Sequence, residues 1–344
     1  MPMVSKLTTE QNWLIILSLL TIAALALGIV LVYAQPVLIP FILAAFISIM
    51  VYPLLDFQVL KLKFPRPLAS AIALCAGLLL LGLLFAFIIK SVEAIVSTAG
   101  QYSENFASFA ERIIAKLQSW GLDVNQSNII ENLKGKIPNM VTSTFGTVVN
   151  FITSAFLVLI FVIFMVIGRN PHITTSGVYG SIEQEIRRYL AIKTVLSIIT
   201  GLLVWLILAI LNVQLASVFG MLAFLLNYIP NIGSIIATLL PIPVAVAQFT
   251  NPWMIVLAIA LPGTVQMTIG NIVEPKLMGK RMNLHPIVVL MALSFWGLLW
   301  GAIGMLLAVP ITAILRIILM EFETLKPVGM ILAGKLPKIE KTSK

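Results

Sequence analysis

Charge is what this sequence has least of. Only 10% of its 344 residues are Asp, Glu, Lys or Arg, against roughly a quarter in an average soluble domain. Hydrophobic residues make up 60%, and the mean hydropathy is +1.07. So few charges cannot coat a water-facing surface around that much apolar material. Cysteine occurs once, at Cys75. That excludes a disulfide within the chain and a metal site built on several thiolates. Inside an apolar block, Cys75 reads as a small hydrophobe facing lipid or a neighbouring helix. The two histidines, His172 and His285, lie far apart, each beside a proline. HExxH, GxxxxGKS/T and GxSxG are all missing. Their absence removes the zinc-protease, nucleotide-hydrolysing and serine-hydrolase readings. No enzyme activity, cofactor or metal is expected.

What the sequence does have is long apolar blocks. A block of about 20 residues spans a bilayer as a helix. Blocks at 13–33, 37–55, 68–89, 146–168 and 192–211 meet that length. The first is too long for a signal-peptide core and reads as an uncleaved span. Beyond residue 211 the pattern turns irregular. Two short pieces, 215–229 and 232–247, flank Pro230-Asn231, and 253–273 and 286–319 follow. The expected fold class is an all-α polytopic membrane protein with about 7–8 membrane segments, broken or re-entrant hairpins among them, and amphipathic surface helices. The expected organisation is N-terminal spans over 1–90, an outer segment over 91–145, a transport region over 146–325 and a basic tail over 326–344.

The net charge of +9 points to lipid, not to nucleic acid. The bases sit in short loops and in the tail, where they set orientation and attract anionic headgroups. Lys61, Lys63 and Arg66 follow the second block. Arg169, Arg187, Arg188 and Lys193 surround the fourth-to-fifth connection. Lys276, Lys280 and Arg281 follow the 253–273 block, and Lys326, Lys335, Lys338, Lys341 and Lys344 fill the tail. All are placed in the cytoplasm with both termini, in a bacterial inner membrane. Between 91 and 145, Arg112, Lys116, Lys134 and Lys136 stand against Glu93, Glu104, Glu111, Asp123 and Glu131. Without cationic excess, that segment fits outside.

Parity then constrains the end of the chain. A single helix over 286–319 would be about 51 Å long, too long for a hydrocarbon core of about 30 Å. A hairpin bent near Trp296-Gly297 is expected, with Gly297, Gly301 and Gly304 letting backbones approach. The halves of 215–247 are each marginal for a span and suggest a second hairpin. Two surface helices are also expected. Phe106, Phe109, Ile113, Leu117 and Trp120 mark one; Val178, Ile182, Ile186, Tyr189 and Leu190 mark the other, with Glu183 and Arg187 on its polar face.

Broken backbone at membrane depth must be buried in protein or line a water-filled cavity, and paired interruptions point to a transport site. The break Asn227-Tyr228-Ile229-Pro230-Asn231-Ile232-Gly233-Ser234 carries two amides, a phenol and a hydroxyl. These can hold a polar solute or a cation without net charge; the same residues also suit a cytoplasmic turn. A second cluster holds Gln266, Thr268, Asn271 and Glu274, the last two on one helical face. Glu274 is either a coupling group for H+ or Na+ or an interfacial carboxylate paired with Lys276 or Lys280. Lys193 is expected to snorkel to headgroups, with solute binding as the other reading. The candidate transport residues are Asn227, Tyr228, Pro230, Asn231, Gly233, Ser234, Gln266, Asn271 and Glu274.

From Ile192 onward the chain resembles the autoinducer-2 exporter family of bacterial permeases. Four stretches carry the likeness. They are Ser197-Ile198-Ile199-Thr200-Gly201-Leu202 through Gly220, Asn227 to Gly233, Gly270-Asn271-Ile272-Val273-Glu274-Pro275-Lys276-Leu277-Met278-Gly279, and Phe295 to Gly301 with Gly304 to Pro310. The N-terminal half is similar in layout. The resemblance implies ATP-independent export of the quorum-sensing signal autoinducer-2 or a similar small polar solute. It also implies sodium(lithium)/proton antiport as the alternative, and assembly into a homo-oligomer, with a pentamer as the expected form.

Overall fold

The computed structural model describes residues 9–79, scattered positions between 82 and 93, 118–119, 154–170, 177–278 and 284–335. The surface helix expected over Phe106 to Trp120 falls almost wholly outside the described residues, as do Lys280 and Arg281. Among the described residues every regular element is a helix, and five helices are long and apolar enough to cross a membrane. The chain is an all-α polytopic membrane protein.

Four helices realise the regular N-terminal blocks: α1 (Thr9–Tyr33), α2 (Gln35–Asp56), α3 (Arg66–Leu79) and α4 (Ser154–Gly168). Pro36 lies in the first turn of α2, where its missing N–H costs no helical bond. A π-helical turn, Phe57–Lys61, ends α2. Tyr52, Leu55, Val59, Ala69, Val162 and Val166 pack α2, α3 and α4 together. Cys75 is exposed on α3.

The helix α5 (Gly177–Ile210) corrects two expectations. The segment around Ile186 is no separate surface helix but the first half of one 34-residue rod. No proline interrupts it, so the rod runs for about 51 Å. Glu183 does not lie on a polar face either. It is buried, and Arg169 Nη1 donates to its Oε2 at 3.0 Å. The same guanidinium reaches Asp56 at 3.3 Å and stacks 4.2 Å from the Tyr52 ring centroid. Arg66 donates to the Arg169 carbonyl. Burial opposes the charge on Arg169, but its bonds to Glu183 and the two carboxylates hold its pKa above the ordinary value. This cluster ties α2, α4 and α5 at one end of the rod.

Helix α6 (Ala216–Leu226) returns antiparallel along α5. Asn227 meets Ser197, and Gly220 meets Gly201 and Trp205. A Cβ on Gly201 would lie 2.8 Å from the Gly220 carbonyl oxygen, so the two backbones touch where neither residue carries a side chain. The chain then turns sharply into α7 (Ile232–Leu239). Gly233 presses on the Leu226 carbonyl, 1.8 Å from where its Cβ would stand. This is the hairpin expected around Pro230-Asn231. A further break at Leu240-Pro241, not expected within the 232–247 piece, separates α7 from α8 (Ile242–Gln248). Then come α9 (Pro252–Thr268), a π-helical turn Ile269–Val273 and α10 (Glu274–Met278).

The final apolar piece, α11 (Pro286–Glu321), folds back on itself as expected, but its bend is at Gly301 and not at Trp296-Gly297. Gly301 takes φ 63°, ψ −143°, a region open essentially to glycine alone. Across the bend, Gly304 meets the Trp296 carbonyl and Gly297 meets Met305. Trp300 Nε1 donates to the Leu31 carbonyl at 3.0 Å, anchoring the hairpin to α1. Ile39, Phe46, Ile186, Tyr189, Leu190, Trp296 and Leu307 join α2, α5 and α11 in one buried cluster. The expected basic tail begins as a docked helix, α12 (Lys326–Leu332). The His285 N–H donates to the Leu332 carbonyl at 3.0 Å.

The glycines at the last hairpin differ in what surrounds them. A Cβ at Gly304 would meet backbone 1.9 Å away, whereas one at Gly297 would meet only the flexible Met305 side chain at 2.9 Å. Gly304→Ala is therefore expected to destabilise by about 3 kcal/mol, at the upper end of overpacking, and Gly297→Ala by about 1 kcal/mol or less. Thermal unfolding of the two purified variants measures the difference. Equal losses would mean that the hairpin closes elsewhere.

Candidate functional site

The breaks converge on one cavity of about 430 Å³, between α5, the α6–α7 turn, α7, α9 and the second π-helical turn. That volume suits a small molecule. Of the residues expected at a transport site, Asn227, Pro230, Asn231, Ser234, Gln266, Asn271 and Glu274 line it. Tyr228 and Gly233 do not. Tyr228 turns its hydroxyl to Thr194 Oγ1 at 2.8 Å, and Gly233 is spent on the close approach to Leu226. Thr238, Gly263 and Gly270 also stand in the wall, beside apolar side chains such as Ile235 and Met267, and were not expected at a site. Gly263 follows Pro262, and that Pro-Gly pair was a signal of irregularity inside the 253–273 block.

The wall owes its shape to local backbone irregularities. Asn231 has φ 59°, ψ −57°, and the Ile232 N–H donates to the Pro230 carbonyl at 2.6 Å. This is the γ-turn with positive φ at its centre, rare and strained. Such backbone costs on the order of 1–3 kcal/mol and persists only where its surroundings enforce it. On the facing side, the π-helical turn Ile269–Val273 widens the helix just before Glu274. Single π turns of this kind re-aim side chains and are frequent at functional sites. Here Asn271 and Glu274 both reach the cavity.

Lys193 is the main correction. It does not snorkel. It lies midway along α5, is 1% exposed, and donates from Nζ to Glu274 Oε1 at 2.6 Å. Glu274 accordingly pairs with α5 and not with Lys276. Both charges face the cavity. A detectable signal was present: Lys193, Ser197 and Thr200 are spaced i, i+4, i+7, one polar stripe entering the apolar half of the helix. All three are buried. Ser197 accepts from Asn227 Nδ2 at 3.0 Å, and Thr200 bonds back to the Leu196 carbonyl. The stripe thus carries the cavity's polarity into the α5–α6 seam.

The sequence profile described as AI-2E family transporter matches residues 14–323. The chain belongs to the AI-2E transporter family. A protein named AI-2 transport protein TqsA, from Escherichia coli (strain K12), is 35% identical over 302 residues, covering 83% of this chain and 86% of its own length. The protein named putative transport protein YhhT, from the same strain, is 30% identical over 297 residues, covering 83% and 84%. A putative transport protein from Haemophilus influenzae is 32% identical over 313 residues, covering 83% and 87%.

In this AI-2E transporter the two charges at the cavity wall, Lys193 and Glu274, pair with each other. An isolated ion in such a place would cost several kcal/mol. Removing one partner of the pair should therefore cost more than removing both. Lys193→Met and Glu274→Gln are each expected to destabilise by about 3–5 kcal/mol, and the double variant Lys193→Met/Glu274→Gln by clearly less than either. Thermal unfolding of all four proteins gives the coupling. Additive losses would show that the two groups do not depend on one another.

Proposed function

We propose that this AI-2E transporter is a secondary carrier that exports autoinducer-2, or a small polar solute like it, across the bacterial inner membrane. The observation that carries the proposal is the cavity itself. It lies where helices are interrupted, and it is walled by amides, hydroxyls and one closed ion pair. Interrupted helices at membrane depth are where carriers bind their solutes. The likeness to a protein named as an AI-2 transporter supports the choice of solute. The basic loops support cytoplasmic termini. In this reading Asn227, Asn231, Ser234, Gln266 and Asn271 contact the solute, and Lys193 with Glu274 keeps the site electrically balanced.

A second reading, sodium(lithium)/proton antiport, draws its support from Glu274, a carboxylate at the cavity wall with the ammonium of Lys193 as the cation it holds. The two readings separate cleanly. Deleting the gene should raise internal and lower external autoinducer-2, with restoration by the native gene but not by Asn227→Ala/Asn231→Ala. In proteoliposomes carrying a pH-sensitive dye, the antiport reading requires sodium-driven proton flux that Glu274→Gln abolishes. Unchanged signal levels on deletion would sink the first reading; dye silence would sink the second.

A further inference from the structure

We infer that Gln266 is the residue that reads the solute, selecting neutral molecules that carry a hydrogen-bond donor beside an acceptor. The inference rests on the cavity being the solute site.

Gln266 lies in the last helical turn of α9, before the π-helical turn. It is 3% exposed and lines the cavity. Neither Oε1 nor Nε2 has a hydrogen-bond partner in the protein, and both lie just beneath the cavity surface, closed off from its open space. Several other polar groups of the cavity wall are committed elsewhere. Lys193 and Glu274 hold each other, Asn227 donates to Ser197, and Thr238 Oγ1 donates to the Ser234 carbonyl. A buried amide left unsatisfied is a standing penalty, and an apolar side chain of similar size would avoid it. The fold gains nothing from this amide that leucine or methionine would not supply. A solute can use it once the side chain turns outward into the cavity.

The geometry of a primary amide defines what fits. It presents one carbonyl acceptor and an NH2 donor side by side. A hydroxyl next to a carbonyl, or next to a second hydroxyl, satisfies both at once. A monatomic cation meets only Oε1 and leaves the NH2 bare. A phosphate meets only the NH2 and must also stand near the Glu274 carboxylate. The closed Lys193–Glu274 pair offers neither ion a free counter-charge. Sites built to hydrogen-bond a solute reject analogues lacking the matching groups, because their own buried groups are then left unpaired.

The test uses the detergent-purified full chain and its Gln266→Met and Gln266→Leu variants. Thermal unfolding is followed with autoinducer-2, dihydroxyacetone, erythritol, sodium chloride or sodium phosphate added. Without additions, the variants are expected to unfold at or above the native temperature. At least one neutral probe is expected to stabilise the native protein, with the half-saturating concentration rising tenfold or more in both variants. The two salts should act alike on all three proteins. The inference is overturned if both variants unfold several degrees early, since the amide would then support the fold. It is also overturned if no neutral probe shifts the native protein, or if probes bind the variants as they bind the native chain. A native response to dihydroxyacetone or erythritol but not to autoinducer-2 would upset the proposed substrate while leaving the role of Gln266 intact.

Discussion

A charge or a bare peptide group inside hydrocarbon must find its partner within the protein. The penalty for failing is several kcal/mol per group, comparable to the whole stability of a domain. Lys193 shows the rule at work. Buried where the α5 rod turns apolar, its ammonium can be tolerated only because Glu274 arrives 2.6 Å away. That pairing fixes where α10 starts relative to α5, and hence the position of the π-helical turn that carries Asn271. The broken backbone follows the same rule. The Pro230–Ile232 turn closes its own hydrogen bond and faces a protein-lined cavity, so interruption and enclosure come together.

Packing in lipid cannot draw on the hydrophobic effect between helices, because the surroundings are as apolar as the side chains. Close contact has to replace it. The chain achieves this at three glycine positions where backbones touch: Gly201 with Gly220, Gly233 with Leu226, and Gly304 with Trp296. Each closes an antiparallel return. The first brings α6 against the polar stripe of α5. The second closes the turn that carries Pro230 and Asn231 to the cavity wall. The third makes a hairpin that reaches α1 through Trp300. Elsewhere the helices are broadly exposed and apolar, as a lipid boundary requires.

Much of this is legible in the sequence, because a span and a break are local signals. Block length marks the regular helices, and Pro230-Asn231 marks the turn between α6 and α7. Parity calls for the last hairpin, but it fixes only that a bend exists. The bend falls at Gly301 because just one of three nearby glycines adopts positive φ, which composition cannot distinguish. Seven of the nine residues expected at a site meet at the cavity, since amides and hydroxyls near helix breaks are few in so apolar a chain. What stays hidden is pairing across distance. Lys193 and Glu274 are separated by 81 positions, and read alone each resembles a side chain reaching for the interface. Glu183 misleads in the same way, for its partner Arg169 lies on another element.

The closed ion pair has an electrical consequence. Moving one elementary charge through a membrane potential takes about 2.3 kcal/mol per 100 mV. A cavity whose two formal charges cancel at 2.6 Å presents the field with a small dipole and no net charge. The resting potential of the cell then does almost no work on that cavity, whichever side of the bilayer it opens toward. A neutral solute seated there would leave this balance unchanged, and its movement would be set by concentration and not by voltage.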